Sequence, residues 1–432
     1  MITKNEIEIF LNFLSPLIKE KQKNKKAIPY VYPLGAARIG HILRDIYLFN
    51  ELYVGSKIVV TLKIVRAVNE TTFDELTRDL QVIFLDDICK NLEEAEYFGL
   101  LISAWWHATL DGHSGGIIFH QEINYFIPRG SDFLTTEYYK AIHDAKLKLR
   151  PVTLGASLTE HGSKFAEFLQ IKYRPIVLLH ARDDKYLTGD QKNNFRSCNI
   201  DNYRKMIKYI VDSGFYLIRL GHGKMKPLRE LNFSRGEESL IFDATQFSGF
   251  FPELYFAQKC DFLIHSASGP TEYSLLFNKP SLGVNVPFTY DFAPIQHTMI
   301  AFRKYYRGAN MLSLREIIGE GIPWKNELNG VRASENSEDL LRVMAEEFID
   351  FMNIIEIESE DIWNILYQDD QKQQPGSSVN RYCAIYRRTS LIDRIIKPDK
   401  ARPNVKKYYK YNEFSKNRAV ISNKFLDYAA WV

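Results

Sequence analysis

Between residues 175 and 286 the chain repeats one pattern: a short apolar run, a cluster of small or charged residues, then a stretch with helical spacing. Residues 175–180, 215–220, 240–242, 261–265 and 281–286 read as strands, while 201–213, closed by Gly214, and 251–259 read as helices. Short apolar runs separated by helical periods predict a parallel sheet covered by helices. The first half alternates in the same way, with strands over 27–33, 57–65, 82–85 and 115–119 and helices over 38–52, 71–80, 92–106 and 132–147. The pattern pauses at Leu149-Arg150-Pro151-Val152-Thr153-Leu154-Gly155, ahead of a helix over 157–171. The expectation is an α/β chain of two Rossmann-like domains facing across a cleft, one over 1–152 and the other over 153–375. Helices are expected over 337–352 and 361–367 and a surface loop over 371–378, with 376–432 as a helical tail packing back on the first domain.

Composition narrows the function classes. At 432 residues the chain exceeds what one ordinary core serves. A formal charge of +3 is nearly balanced and implies no global field for nucleic acid. Cys89, Cys198, Cys260 and Cys383 show no CxxC spacing, which fits a reducing cytoplasm better than secretion. No stretch approaches the ~18 uninterrupted apolar residues of a membrane span, and no signal peptide is expected. Residues 6–18 carry apolar side chains at helical spacing and run into a basic stretch over 19–26. Two readings stand: a helix packed on its own domain, or an amphipathic helix making peripheral contact with an anionic inner membrane face.

Open α/β sheets bind ligands beyond the carboxyl ends of their strands, so the residues after each apolar run carry the functional information. In the second half these are His180-Ala181-Arg182-Asp183, Gly221-His222-Gly223-Lys224, Asp243-Ala244-Thr245 and the stretch from Ser266 to Glu272. Arg182 can grip a phosphate through two parallel N–H bonds or pair with a neighbouring Asp. Arg219, set among apolar residues within its strand, requires either a buried carboxylate or a ligand phosphate. Ser266, Ser268 and Gly269 precede Pro270, which suits a helix start, and the free N–H groups there form a site for a pyrophosphate. Capping by Ser268 with nothing bound is the plainer alternative. Glu272 falls in the first turn, where it either answers the helix dipole or takes hydroxyls of a ribose or sugar.

In the first half Arg38-Ile39-Gly40-His41 opens the helix after the first strand. Arg38 and Gly40 are candidate cleft residues and His41 a candidate general base, a structural histidine being the alternative. The cluster from His107 to His113, followed by Ser114-Gly115-Gly116, is a candidate cleft loop whose two histidines stand at no recognised metal spacing with a third ligand. The adjacent acids Asp86 and Asp87 would diverge on a continuing strand, so no metal is expected.

Residues from about 155 to 290 resemble a family of bacterial glycosyltransferases associated with surface-polysaccharide genes. The likeness rests on Leu178-Leu179-His180-Ala181-Arg182-Asp183, Leu217-Ile218-Arg219-Leu220-Gly221 and Leu158-Thr159-Glu160-His161-Gly162. It also rests on the run from Cys260 through Ser268-Gly269 to Phe277-Asn278-Lys279-Pro280 and Asn285; in the first half it is thinner, chiefly Ile39-Gly40-His41. Tandem Rossmann-like halves suggest the GT-B architecture, and the resemblance implies it too. His180-Ala181-Arg182 is also similar to the His-x-Arg motif of GT-B fucosyltransferases, which implies Arg182 as a metal-free diphosphate clamp. A single Arg here, where many fucosyltransferases have two, weakens GDP-fucose as the donor. The Ser-Gly turn resembles the phosphate turn of the non-hydrolysing UDP-sugar epimerases, and His265 departs from the small residue expected in the bacterial family.

The resemblance implies a cytoplasmic transferase that needs no cofactor and moves a sugar from a UDP- or GDP-linked donor to a glycan or lipid-linked acceptor. Its donor contacts would be His180, Arg182, Arg219, Lys224, Ser266, Ser268, Gly269 and Glu272, with His41 as base. A nucleotide-sugar 2-epimerase and a non-catalytic glycan-assembly subunit are the competing readings.

Overall fold

The computed structural model describes residues 4–21, 28–34, 39–67, 69–107, 116–120, 123–127, 150–171, 173–183, 196–287, 298–312, 316, 330–357 and 419–421. The chain divides into two compact units, Met1–Arg150 and Pro151–Val432. Both are α/β.

In the first unit β1 (Tyr30–Pro33), β2 (Lys57–Thr61) and β3 (Gln81–Phe84) are parallel neighbours in the order β3-β2-β1. On the other side of β1 lie β5 (Ile123–Ile127), parallel to it, and then β4 (Gly116–His120), antiparallel to β5. This hairpin departs from the all-parallel expectation. The sequence between its strands is of hairpin length and far too short for a crossover. The helix Lys4–Lys21 buries Phe10, Leu11, Leu14 and Ile18 against Val31, Ile58, Val60 and Ile83 of the sheet. Burial of each large apolar side chain contributes about 1.5–3 kcal/mol, so this face belongs to the core and is closed to a bilayer.

The strand expected to reach Val65 ends at Thr61 and turns into the helix Lys63–Ala67. The Lys63 amide donates to Asp86 Oδ2 at 2.6 Å and that of Val65 to the Leu62 carbonyl at 3.0 Å, which bends the chain out of the sheet. Lys63 Nζ also pairs with Asp87, so one lysine engages both adjacent acids.

The second unit holds a seven-stranded parallel sheet. Its strands are β6 (Ile176–His180), β7 (Tyr216–Arg219), β8 (Ile241–Asp243), β9 (Phe262–His265), β10 (Ser281–Val286), β11 (Thr298–Phe302) and β15 (Ala419–Ile421). From β8 the order runs β8-β7-β6-β9-β10-β11, with β15 added beyond β11. Chain order is therefore 3-2-1-4-5-6 with a seventh strand, the Rossmann winding, and it reverses between β6 and β9. Leu179, Leu217, Ile264 and Val284 form the core with Tyr203, Met206, Ile207 and Ile210. The latter two-turn spacing lies along Arg204–Asp212, and Gly214 at φ 91 ends that helix as its sequence predicts.

Beyond the sheet β12 (Lys304–Arg307), β13 (Asn310–Met311) and β14 (Val331–Ser334) make a small antiparallel sheet that the sequence pattern did not predict. The helix Glu338–Ile357 is longer than expected. Where a helix over 376–432 was expected on the first unit, the described residues Ala419–Ile421 are a strand parallel to β11. The expected helices over 132–147 and 361–367, and the loop over 371–378, lie outside the described residues.

Candidate functional site

The strand order reverses at the carboxyl ends of β6 and β9, the place where a Rossmann winding binds its ligand. His180 and His265 close these strands in register. The Ser266 amide donates to the His180 carbonyl at 2.9 Å, and the Arg182 amide donates to Ser266 Oγ at 3.0 Å. The two strand ends are thus joined by backbone and by one serine. Residues Gly269–Thr271 form a 3-10 turn that leads into the helix Glu272–Phe277, which Asn278 ends at φ 49.

Inside this turn Ser268 Oγ lies 2.7 Å from His180 Nδ1, and Thr271 Oγ1 lies 3.2 Å from His265 Nδ1. Both hydroxyls also reach the Ser266 carbonyl, at 3.1 and 3.3 Å. Burial drives the His180 pKa down to about 3, with the charges of Arg219, His265 and Arg182 acting the same way. Burial likewise lowers His265 to about 3. Both imidazoles are neutral at pH 7. His180, Arg182, Ser266, Ser268, Gly269 and Glu272 therefore gather at one strand-end crevice, and all but Gly269 are buried.

Arg219 is different. It is fully buried, with Nη1 3.5 Å from Asp243 Oδ2 and donating to the Lys226 carbonyl. Of the two partners its sequence context allows, the carboxylate is present. Burial pulls its pKa down while Asp243 and Asp183 oppose the shift. The same loop is held from below: Asp183 Oδ2 accepts the Lys226 amide at 2.9 Å and Asp243 Oδ2 the Leu228 amide at 2.7 Å. Lys224 lies exposed in that loop, its amide donating to His222 Nδ1 at 3.2 Å.

In the first unit Gly40 and His41 occupy the first turn of the helix Ile39–Leu52, while Arg38 and the His41 side chain lie outside what is described. One helical turn after His41, buried Asp45 accepts from Tyr32 Oη at 2.9 Å and from Arg44 Nε at 3.3 Å.

Two buried groups at the second unit's carboxyl edge escaped the sequence reading. Thr271 ties His265 to the turn, and its place directly after Pro270 is the only signal for it. Arg303, just past β11, donates from Nε to the Asn285 carbonyl at 3.1 Å and from Nη2 to the Ser197 carbonyl. It went unseen because β11 itself did. The Cys198 amide beside it donates to the Arg182 carbonyl at 2.6 Å, which fixes the return of the β6 loop.

No protein-family model matches the chain, and none of the curated proteins matches it significantly. Among solved structures it is similar to E. coli ADP-heptose LPS heptosyltransferase II, with a TM-score of 0.46 at 11% identity over 77% of this chain and 100% of that one. A glycosyl transferase of family 9 from Veillonella parvula gives 0.43 at 12% identity, covering 74% and 96% of the two chains. An E. coli heptosyltransferase with ADP gives 0.36 at 12% identity, covering 74% and 97%. With all three scores below 0.5, the fold assignment rests on this chain's own strand order.

Proposed function

We propose that this chain is a GT-B glycosyltransferase that moves a sugar from a nucleotide-diphosphate donor to a hydroxyl of a cell-surface glycan or glycolipid, without a metal. The observation that carries this reading is the meeting of Arg182 and the Ser266–Gly269 turn at the strand-order reversal between β6 and β9. A guanidinium carried at that strand end, together with the turn's unengaged backbone N–H groups, would stabilise the negative charge that develops on a leaving diphosphate. Glu272, buried one turn further on, takes hydroxyls of the ribose or the sugar. Gly40 and Arg38 belong to the acceptor side, and His41 removes the acceptor proton if the anomeric configuration inverts.

The test is incubation of purified protein with UDP- and GDP-sugars, with and without glycolipid acceptors, in the presence of EDTA. Sugar transfer is expected only when an acceptor is added, at an EDTA-independent rate. Epimerisation of the donor without acceptor would overturn the reading in favour of an epimerase. Binding is checked separately: a nucleoside diphosphate at 100 times its Kd raises apparent stability by about 2.7 kcal/mol, readable as a thermal shift.

A further inference from the structure

We infer that His180 and His265 are positioning residues, each fixed as the Nδ1–H tautomer, which turn the hydroxyls of Ser268 and Thr271 inward onto the Ser266 carbonyl and leave anion recognition to backbone amides and Arg182. This deepens the donor-binding reading and rests on it for the identity of the anion; the tautomers themselves do not.

The assignment follows from counting hydrogens. Ser266 is fully buried, and its carbonyl faces both hydroxyls, Ser268 Oγ at 3.1 Å and Thr271 Oγ1 at 3.3 Å. A carbonyl only accepts, and each hydroxyl owns one hydrogen, so the carbonyl is fully satisfied when both hydrogens point at Ser266. What each hydroxyl oxygen then offers the histidine opposite is a lone pair. The contacts of 2.7 Å to His180 Nδ1 and 3.2 Å to His265 Nδ1 are bonds only if the imidazoles supply the hydrogen. Thr271 Oγ1 also accepts the Ser268 amide at 3.4 Å, which completes its capacity of two accepted bonds and one donated. The reverse assignment, with hydroxyls donating to the imidazoles, strips a buried carbonyl of both bonds, a costly loss.

Two consequences bear on the donor. The Ser268 hydroxyl and the amides of Ser266, Ser268 and Thr271 are already committed within the protein, so a phosphate oxygen is left the Ala267 and Gly269 amides and not this side chain. A neutral His180 carrying its hydrogen on Nδ1 has no hydrogen on Nε2 to offer a phosphate oxygen. His180 therefore shapes the anion site without touching the anion.

Side-chain nitrogen NMR of the histidines in the full-length protein at pH 7 tests the tautomers directly. Protonated-type shifts at Nδ1 and pyridine-type shifts at Nε2 are expected for His180 and His265; the opposite pattern at either residue overturns the proposal. A second measurement uses His180→Asn, whose amide N–H stands where Nδ1–H does, against His180→Gln and His180→Ala. With ADP, UDP and GDP as probes, Asn is expected to keep Kd within about threefold while Gln and Ala lose about tenfold, one hydrogen bond's worth. Equal losses for Asn and Ala would overturn the positioning role. If the unaltered protein binds none of these nucleotides, the glycosyltransferase reading fails while the NMR result still decides the tautomers.

Discussion

The carboxyl edge of the second sheet is built in two chemically different ways. At β6 and β9 the buried groups of the turn itself are neutral, two imidazoles, the hydroxyls of Ser266, Ser268 and Thr271, and main-chain amides, with the charged Arg182 and Glu272 buried alongside. At β7 and β8 they are ionic: Arg219 against Asp243, with Asp183 and Asp243 fastening the following loop by its amides. A buried guanidinium already facing a carboxylate has its charge answered, which makes Arg219 a brace of the fold. What reads in sequence as one anion pocket with four walls thus separates into a half to which the proposed donor contact is assigned and a bracing half.

The sharpest break of this comparison is Arg182→Ala. If the β6–β9 half meets the donor diphosphate, removing its guanidinium is expected to lower kcat/KM for donor by roughly 10²–10³-fold in a protein that still folds. Unchanged steady-state kinetics would erase the distinction between the halves.

Arg219→Ala should do the opposite. It leaves the Asp243 carboxylate buried beside an emptied guanidinium site, and the expected cost is about 3–5 kcal/mol in urea unfolding. Nucleoside diphosphate affinity, measured well below the melting temperature, should stay within about threefold. A variant of full stability that fails to bind nucleotide would return Arg219 to the ligand side.

Much of this was legible in the sequence, and the reasons are physical. Strands buried on both faces leave uninterrupted apolar runs, so β6, β7, β9 and β10 were readable to within about two residues. The short edge strands were not, because β13 and β15, of two and three residues, carry neither length nor alternation to mark them. Residue types at strand ends were readable, since only a few connections reach the ligand side of a Rossmann winding. Pairing was not. Whether Arg219 meets a carboxylate or a ligand depends on the loop of Lys226 folding back over it, and whether a serine faces inward or outward depends on Thr271 and two histidines converging on one carbonyl.

A smaller effect probes the neutral half from behind. Glu253 opens the helix Glu253–Lys259, which packs on the helix that carries Tyr273 out of the Ser-Gly turn. Burial raises its pKa to about 7, with the Tyr273 hydroxyl beside it pulling the other way. The folded protein therefore holds this proton over a range where the unfolded chain has released it. Because the folded state binds more protons between the ordinary carboxyl pKa of about 4.3 and about 7, stability falls as pH rises through that window and the cost is complete above it. Glu253→Gln, which keeps the shape without the charge, is expected to raise stability by about 2–3 kcal/mol at pH 8 and to change it little at pH 4.5, as read by urea unfolding at the two values. Arg182→Ala should show no such window. Equal effects of Glu253→Gln at both pH values would mean that the carboxyl is ionised in the fold, and the contrast between a neutral and an ionic half would then stop at the turn itself.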